Sequence, residues 1–265
     1  MHSFYKINEQ NELQLNYSLR VNRPEGDDLN PFPEYQDPYN LRAGNPNLMP
    51  EKIHSIEAGY QWKNEITTLL ATLFYRNTYN KMTEVTQVMD GDIIKTTKVN
   101  MSSSQASGLE LIANSALKHF ATFNINSNIF YNQIDASDLG YSKKKGAVAW
   151  FAAFNANFNL IRNAMLQVNA RYNSSILTPQ GNREPTFITN MGIRYDIPKY
   201  NLSLMATVSD LFDTYKNVNV INTSTLYQRV ERRKTPRTFY VGFSYKFGNI
   251  NKKHKTTDLK YEESL

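Results

Sequence analysis

The stretch NELQLNYSLRVNRP, residues 11–24, decides how the rest of the chain is read. Leu13, Leu15, Tyr17, Leu19 and Val21 share one parity; Gln14, Asn16, Ser18, Arg20 and Asn22 share the other. A period of two puts the sets on opposite faces of a β-strand. Strands usually run about five or six residues, and this alternation holds for roughly ten. One face of hydrocarbon and one of amide and guanidinium groups, over that length, suits a wall between two solvents.

The pattern recurs downstream. Ile56, Ala58, Tyr60 and Trp62 oppose Glu57, Gly59 and Gln61. Leu69, Ala71, Leu73 and Tyr75 form the next row, with Leu70 and Phe74 interrupting the other face. Leu109, Leu111 and Ala113 follow, then Phe123, Ile125, Ile129 and Tyr131 against Asn124, Asn126 and Asn128. Residues 148–160 alternate through Trp150, Phe154 and Phe158 against Asn155, Asn157 and Asn159. Rows at 166–172, 187–195, 202–208 and 239–247 bring the total to about ten long strands, without a helical period anywhere.

The connections alternate as well. Long segments at 22–52, 77–105, 132–146, 173–186 and 209–236 are separated by short ones at 63–65, 116–119, 161–163 and 196–201. A sandwich has no reason to do this, whereas a membrane barrel has short periplasmic turns and long extracellular loops. Asp90-Gly91 occupies a type I′ turn position, so residues 77–105 are expected to continue upward as a hairpin. Ten steps from Trp150 to Leu160 span ~33 Å. A tilt near 40° reduces that to ~25 Å, the height of a barrel's apolar band. Tyr75, Tyr131, Trp150, Tyr172 and Phe187 fall at the long-loop ends, and Trp62, Phe158, Tyr195 and Phe247 at the short-turn ends. Interfaces collect such rings, apolar in the body and wet at the rim. The chain therefore reads as all-β, a transmembrane antiparallel β-barrel segment with short periplasmic turns and long extracellular loops.

Bulk composition agrees. Only 40% of the 265 residues are apolar, yet 12% are aromatic, with 17 Tyr and 14 Phe. Mean hydropathy is −0.56, and no run approaches the roughly 18 apolar residues of a membrane helix. Without cysteine there is no disulfide framework and no thiolate metal site. The formal charge of +6 is dispersed except at 142–146, 229–237 and 252–255. Nucleic-acid binding would need basic groups interleaved with stacking rings, and here the rings serve the outward face. The opening MHSFYKINEQ lacks the basic and apolar regions of a signal peptide.

Three stretches resemble TonB-dependent outer-membrane receptors: GNPNLMPEKIHSIEAGY (44–60), VSDLFDTY (208–215) and RTFYVGFSYKFG (237–248). NELQLNYSLRVNRP is similar to the outer-membrane β-barrel group of these receptors in Bacteroidota. The resemblance implies a 22-stranded, plugged barrel in the outer membrane of a Gram-negative bacterium. It implies nutrient uptake with TonB-transmitted energy, and as partners outer-membrane lipid, the barrel-assembly machinery, a plug domain and further strands. HSFYKINEQNEL reads as the end of a strand entering a turn, so the chain is expected to be the C-terminal barrel portion of such a receptor. Residues 1–248 would form this partial barrel and residues 249–265 a polar periplasmic tail. TonB would act only through the absent N-terminal part. A structural fragment without transport, or a small porin- or adhesin-like barrel, is the alternative. Siderophore, glycan, peptide and vitamin all remain open as substrate.

In such a receptor the ligand contacts would be Tyr35, Tyr39, Arg42, Arg76, Tyr79, Arg171 and Tyr227, in the extracellular loops and upper lumen. Arg20, Glu57, Glu110, Arg171 and Arg194 could equally pair with one another or with a plug. The asparagines read as lumen solvation. Arg229, Arg232, Arg233, Lys234 and Arg237 could meet lipopolysaccharide phosphates, which suit guanidinium forks, or form a solvated loop. The histidines are scattered at 2, 54, 119 and 254. His54 with Ser55 or Glu57 lacks a third partner, so neither catalysis nor a metal or other cofactor is expected.

Overall fold

The computed structural model describes residues 1–137, 144–233 and 237–247. Seventeen strands follow in chain order: β1 (His2–Lys6), β2 (Asn11–Asn22), β3 (Glu34–Asp37), β4 (Asn40–Arg42), β5 (Glu51–Lys63), β6 (Thr67–Val88), β7 (Ile94–Leu117), β8 (Ala121–Asp135), β9 (Lys145–Ile161), β10 (Ala164–Asn173), β11 (Ile176–Thr178), β12 (Gly181–Arg183), β13 (Thr186–Ile197), β14 (Leu202–Ser209), β15 (Asn217–Asn222), β16 (Tyr227–Arg232) and β17 (Thr238–Tyr245). Eleven of them form the wall, antiparallel throughout, in the order β1-β2-β5-β6-β7-β8-β9-β10-β13-β14-β17. Helical turns occur at Gly26–Leu29, four residues long, and at Pro198–Tyr200, a 3-10 turn. The tail 249–265 and the tag position Asp138, considered below, lie outside the described residues.

The wall is inverted relative to a water-soluble sheet. The apolar row of β2 is its exposed row, while Gln14, Asn16 and Ser18 are half-buried. Leu73, Ile129 and Val148 likewise stand 51–62% exposed on the outer face. Such a surface is stable only against hydrocarbon. Trp150 and Tyr172 stack at 4.4 Å at the upper rim. Lower down, Phe123 and Phe158 meet edge to face at 5.5 Å and cover the fully buried Ala156.

The polarity reverses within single strands. β6 and β7 run 22 and 24 residues, well past the apolar band. At Asn80 the backbone enters the left-handed region (φ 53), where asparagine is better tolerated than most residues. Below it odd-numbered residues face out. Above it Lys81 turns inward, its Nζ 3.5 Å from Ser104 Oγ. Asn100 braces the bend through the carbonyls of Asn80 (2.7 Å) and Met49 (2.9 Å). Beyond this point Met101, Ile134 and Ala136 cluster with Leu177 in an ordinary buried core. The hairpin tip departs from expectation: the left-handed pair is Gly91 (φ 78) and Asp92 (φ 60), one residue later than Asp90-Gly91.

The long segments are structured. β3 and β4 form a hairpin, and β4 lies parallel to the upper part of β7. β11, β12, β15 and β16 make a separate four-stranded sheet. Side chains close the free edge of upper β6: the Glu51 carboxylate accepts the Met82 N–H at 2.7 Å. The buried Gln180 amide engages both the N–H and the C=O of Thr86, each at 2.7 Å. An open edge that would invite pairing is blunted, and the outer sheet is latched to the wall. Epitope tags at Asn182 and Asp138 are expected to be antibody-accessible on intact cells, and tags at Asn64 and Lys199 only after permeabilisation. Equal labelling at all four positions would reject this orientation.

Candidate ligand-facing surface

The lumen wall carries a continuous asparagine row. Asn114, Asn124, Asn155, Asn169 and Asn190 face one another across β7, β8, β9, β10 and β13. Each donates an Nδ2–H to the previous member: Asn124 to Asn114 at 2.6 Å, Asn155 to Asn124 at 3.1 Å, Asn169 to Asn155, and Asn190 to Asn169 at 3.3 Å. Asn190 Oδ1 then accepts the Asp210 N–H at 3.0 Å. A carboxamide both donates and accepts, so one residue type can propagate across a sheet. The row begins near a periplasmic turn and ends at the root of an extracellular loop. It satisfies the polar lumen face through the wall itself as well as through water.

A second lumen node joins β2, β5 and β6. Glu57 accepts from Ser55 Oγ (2.9 Å) and Asn16 (3.4 Å) and pairs with Arg76 at 3.5 Å. Arg76 also lies 4.9 Å over the buried Phe74 ring, a cation–π contact that explains an aromatic on the wet face. Opposite Phe74, Gly108 has no room for a side chain: a Cβ would collide with the Ile129 carbonyl and Phe130 Cβ. Arg194 is held by Asp196 at 2.8 Å. Arg20, Glu110 and Arg171 form no ion pair among the described residues.

The extracellular positions divide. Arg42 pairs with Glu84 at 2.8 Å and borders a cleft of about 270 Å³ with Asp28, Phe32, Glu34 and Lys98. Lys98 is bound to Asp28 at 2.7 Å. Tyr35 and Tyr39 are exposed on the neighbouring hairpin, and Tyr227 on β16. The Tyr39 N–H and the Asn40 side chain hold the Asp37 carboxyl below its usual range. Tyr79 faces outward, edge-on to His54 at 5.9 Å. The Tyr17 hydroxyl shares a hydrogen bond with His54 Nδ1 at 2.9 Å. Adjacent strand residues point to opposite faces, so His54 and the Ser55–Glu57 pair are on different sides of the wall.

The basic stretch is partly neutralised by partners that sequence reading missed. Arg229 forks onto both oxygens of Glu184 at 3.1 Å and reaches Glu231 at 3.3 Å. Arg233 binds Glu231 at 3.1 Å. These bonds raise the Arg229 pKa, through Glu184 first, and lower that of Glu231, through Arg233 first. Arg232 and Arg237 form no ion pair among the described residues. Lys234 lies outside them.

An outward apolar band, aromatic rims, a hydrogen-bonded wet face and ordered loops at one end define an outer-membrane β-barrel wall. The outer membrane protein beta-barrel family model matches residues 1–245, and the chain belongs to that family. Its strands accordingly lie in the outer membrane of a Gram-negative bacterium. Among solved structures it is similar to the siderophore receptor PirA from Pseudomonas aeruginosa (TM-score 0.61, 16% identity, 91% of this chain and 40% of that one). The copper transporter OprC aligns at TM-score 0.64 and 14% identity, covering 93% of this chain and 40% of the transporter. The ferric-catecholate import receptor Fiu from E. coli K12 aligns at 0.60 and 18%, covering 91% and 34%. The chain thus spans about 40% of the first two of these proteins. A search of curated proteins finds no match.

Proposed function

We propose that this chain is part of the wall of a TonB-dependent receptor that imports a scarce nutrient, acting with a plug domain and further barrel strands, and that it carries no enzymatic activity. One observation supports this above others. Among the described residues the wall is an open sheet: β1 pairs only with β2, and β17 only with β14. Each unpaired backbone group would cost several kcal/mol in lipid, so these edges require partners. Aligning over nine-tenths of its length with only 40% of a siderophore receptor and of a copper transporter points the same way. Within this reading Tyr35, Tyr39, Arg42 and Tyr227 meet cargo above the membrane. Arg76 and Arg171 complete the contact set at the upper rim and the unpaired Arg20 and Glu110 face the plug, whereas Tyr79, expected from sequence in this set, stands on the outward face beside His54 and is removed from it. The barrel-assembly machinery inserts the assembled chain.

Residues 1–265 expressed behind a signal peptide in a receptor-deleted strain are expected to give no uptake of a radiolabelled ferric siderophore or of copper. Co-expression of a plug-and-strand portion from a homologous receptor is expected to restore uptake only when TonB is present. TonB-dependent uptake by this chain alone would contradict the reading, as would rescued uptake indifferent to TonB.

A further inference from the structure

The asparagine row belongs to a wider neutral belt on the lumen face. It continues at Thr68, opposite Asn114, and at Ser209, whose hydroxyl donates to Asn190 Oδ1 at 3.3 Å. One step nearer the periplasm a second row holds Ala116, Thr122, Asn157, Gln167, Gly192 and Thr207. Neither row contains an ionisable group from β6 to β14. Ions stand at the margins: Lys63 opposite Thr68, Arg171 one step above, and Arg194, held by Asp196, one step below. The belt climbs from a periplasmic turn to the root of an extracellular loop, so cargo crossing the lumen on this side passes along it.

The amides keep capacity for a ligand. A carboxamide has two N–H bonds and two oxygen lone pairs. The row consumes one N–H on each of Asn124, Asn155, Asn169 and Asn190, and Asn114 spends none. These head-to-tail bonds hold each side chain in place and leave a donor at every strand, about 4.8 Å from the next. At the lower end a hollow of about 330 Å³ is lined by Thr68, Asn114, Thr122, Asn124, Asn155 and Asn157. Asn157 donates to the Thr122 hydroxyl at 3.0 Å, which leaves its Oδ1 open as an acceptor. A hollow of this size falls at the small end of ligand pockets.

We propose that this belt is a track for a neutral, polyhydroxylated cargo, an oligosaccharide. The proposal names the cargo class of the import reading above and rests on that reading. A hydroxyl donates and accepts and rotates to suit its partner, so a sugar finds a match at each step of such a row. A peptide pairs best through its backbone with a strand edge, and the backbone of these strands is already paired within the wall. An anionic cargo would give up water without meeting a cation inside the belt. Neutral hydrogen bonds are weaker than charge-assisted ones, so cargo can step from one amide to the next.

The test uses the full chain in polyoxyethylene-detergent micelles, which bring no sugar of their own. It is titrated calorimetrically with maltohexaose, hexagalacturonate and an end-capped Gly–Gln hexapeptide. Maltohexaose is expected to bind at least fivefold more tightly than either of the others. Asn114→Ala/Asn157→Ala is expected to weaken it at least fivefold, and Gln14→Ala, on the lumen face of β2 away from the belt, to leave it unchanged. If the double variant does not fold, Gln167→Arg decides, with at least a fivefold gain expected in hexagalacturonate affinity. Equal binding of the three probes, tighter binding of the peptide, or affinities that these belt variants do not move would overturn the proposal. The assay uses neither plug nor TonB, so its failure would remove the track and leave the receptor reading to its own uptake test.

Discussion

Phe154→Arg is expected to destabilise the inserted chain by about 2–4 kcal/mol, the range for arginine on the lipid face near mid-membrane. Phe154 lies between Ile125 and Ala170 in register, and its ring centroid is 6.3 Å from that of Phe123. No acidic group shares that face nearby, so the guanidinium would meet hydrocarbon alone. Gln167→Arg, on the wet face of the adjoining strand, is expected to cost less than about 1 kcal/mol, as lumen substitutions do. Asn155, sequence neighbour of Phe154, is a poorer control, because it donates to Asn124 and accepts from Asn169. Urea titration of both variants in lipid vesicles ranks them. If Gln167→Arg is the more damaging, the assignment of the two faces is inverted.

Asp210→Ala is expected to cost about 3 kcal/mol and to free the loop that follows β14. Asp210 is only 3% exposed. Its carboxylate accepts the N–H groups of Thr214 (3.1 Å) and Tyr215 (2.9 Å) and the Thr214 hydroxyl (3.4 Å). Hydrogen bonds to a charged group contribute about 1.5–3 kcal/mol. The residue also sits at φ 51, where alanine adds about 1–2 kcal/mol of strain that aspartate and asparagine relieve locally. Asp210→Asn keeps the backbone preference and one acceptor, so about 1 kcal/mol is expected. Hydrogen exchange at Thr214 and Tyr215 separates the cases: protection should fall sharply in the alanine variant and modestly in the asparagine one. Unchanged protection in Asp210→Ala would mean that this carboxylate does not organise the loop.

The two predictions draw on different kinds of legibility. The outward position of Phe154 follows from parity alone, whereas VSDLFDTY showed in sequence only a resemblance. The role of Asp210 depends on a turn that brings its carboxylate back onto residues four and five further on.

What the sequence determined by itself was the sheet and its solvents. The pleat sends successive side chains to opposite sides wherever a strand forms, so the apolar row of 11–22, the wet row opposite it and the aromatic rims follow from parity without knowing which strand lies beside which. Loop lengths then oriented the wall. What only the tertiary structure decided was partnership across strands. Asn124, Asn155, Asn169 and Asn190 join into one row because the register sets them opposite one another, and nothing local distinguishes them from Asn126 or Asn128. Arg229 is engaged by Glu184, 45 residues away. The reversal of polarity at Asn80 and the one-residue shift at the β6–β7 tip were likewise set by the folded backbone. Facing is a property of one residue's backbone. Pairing depends on how two distant segments slide past each other, and alternation alone tolerates a slide of two residues because every side chain keeps its face.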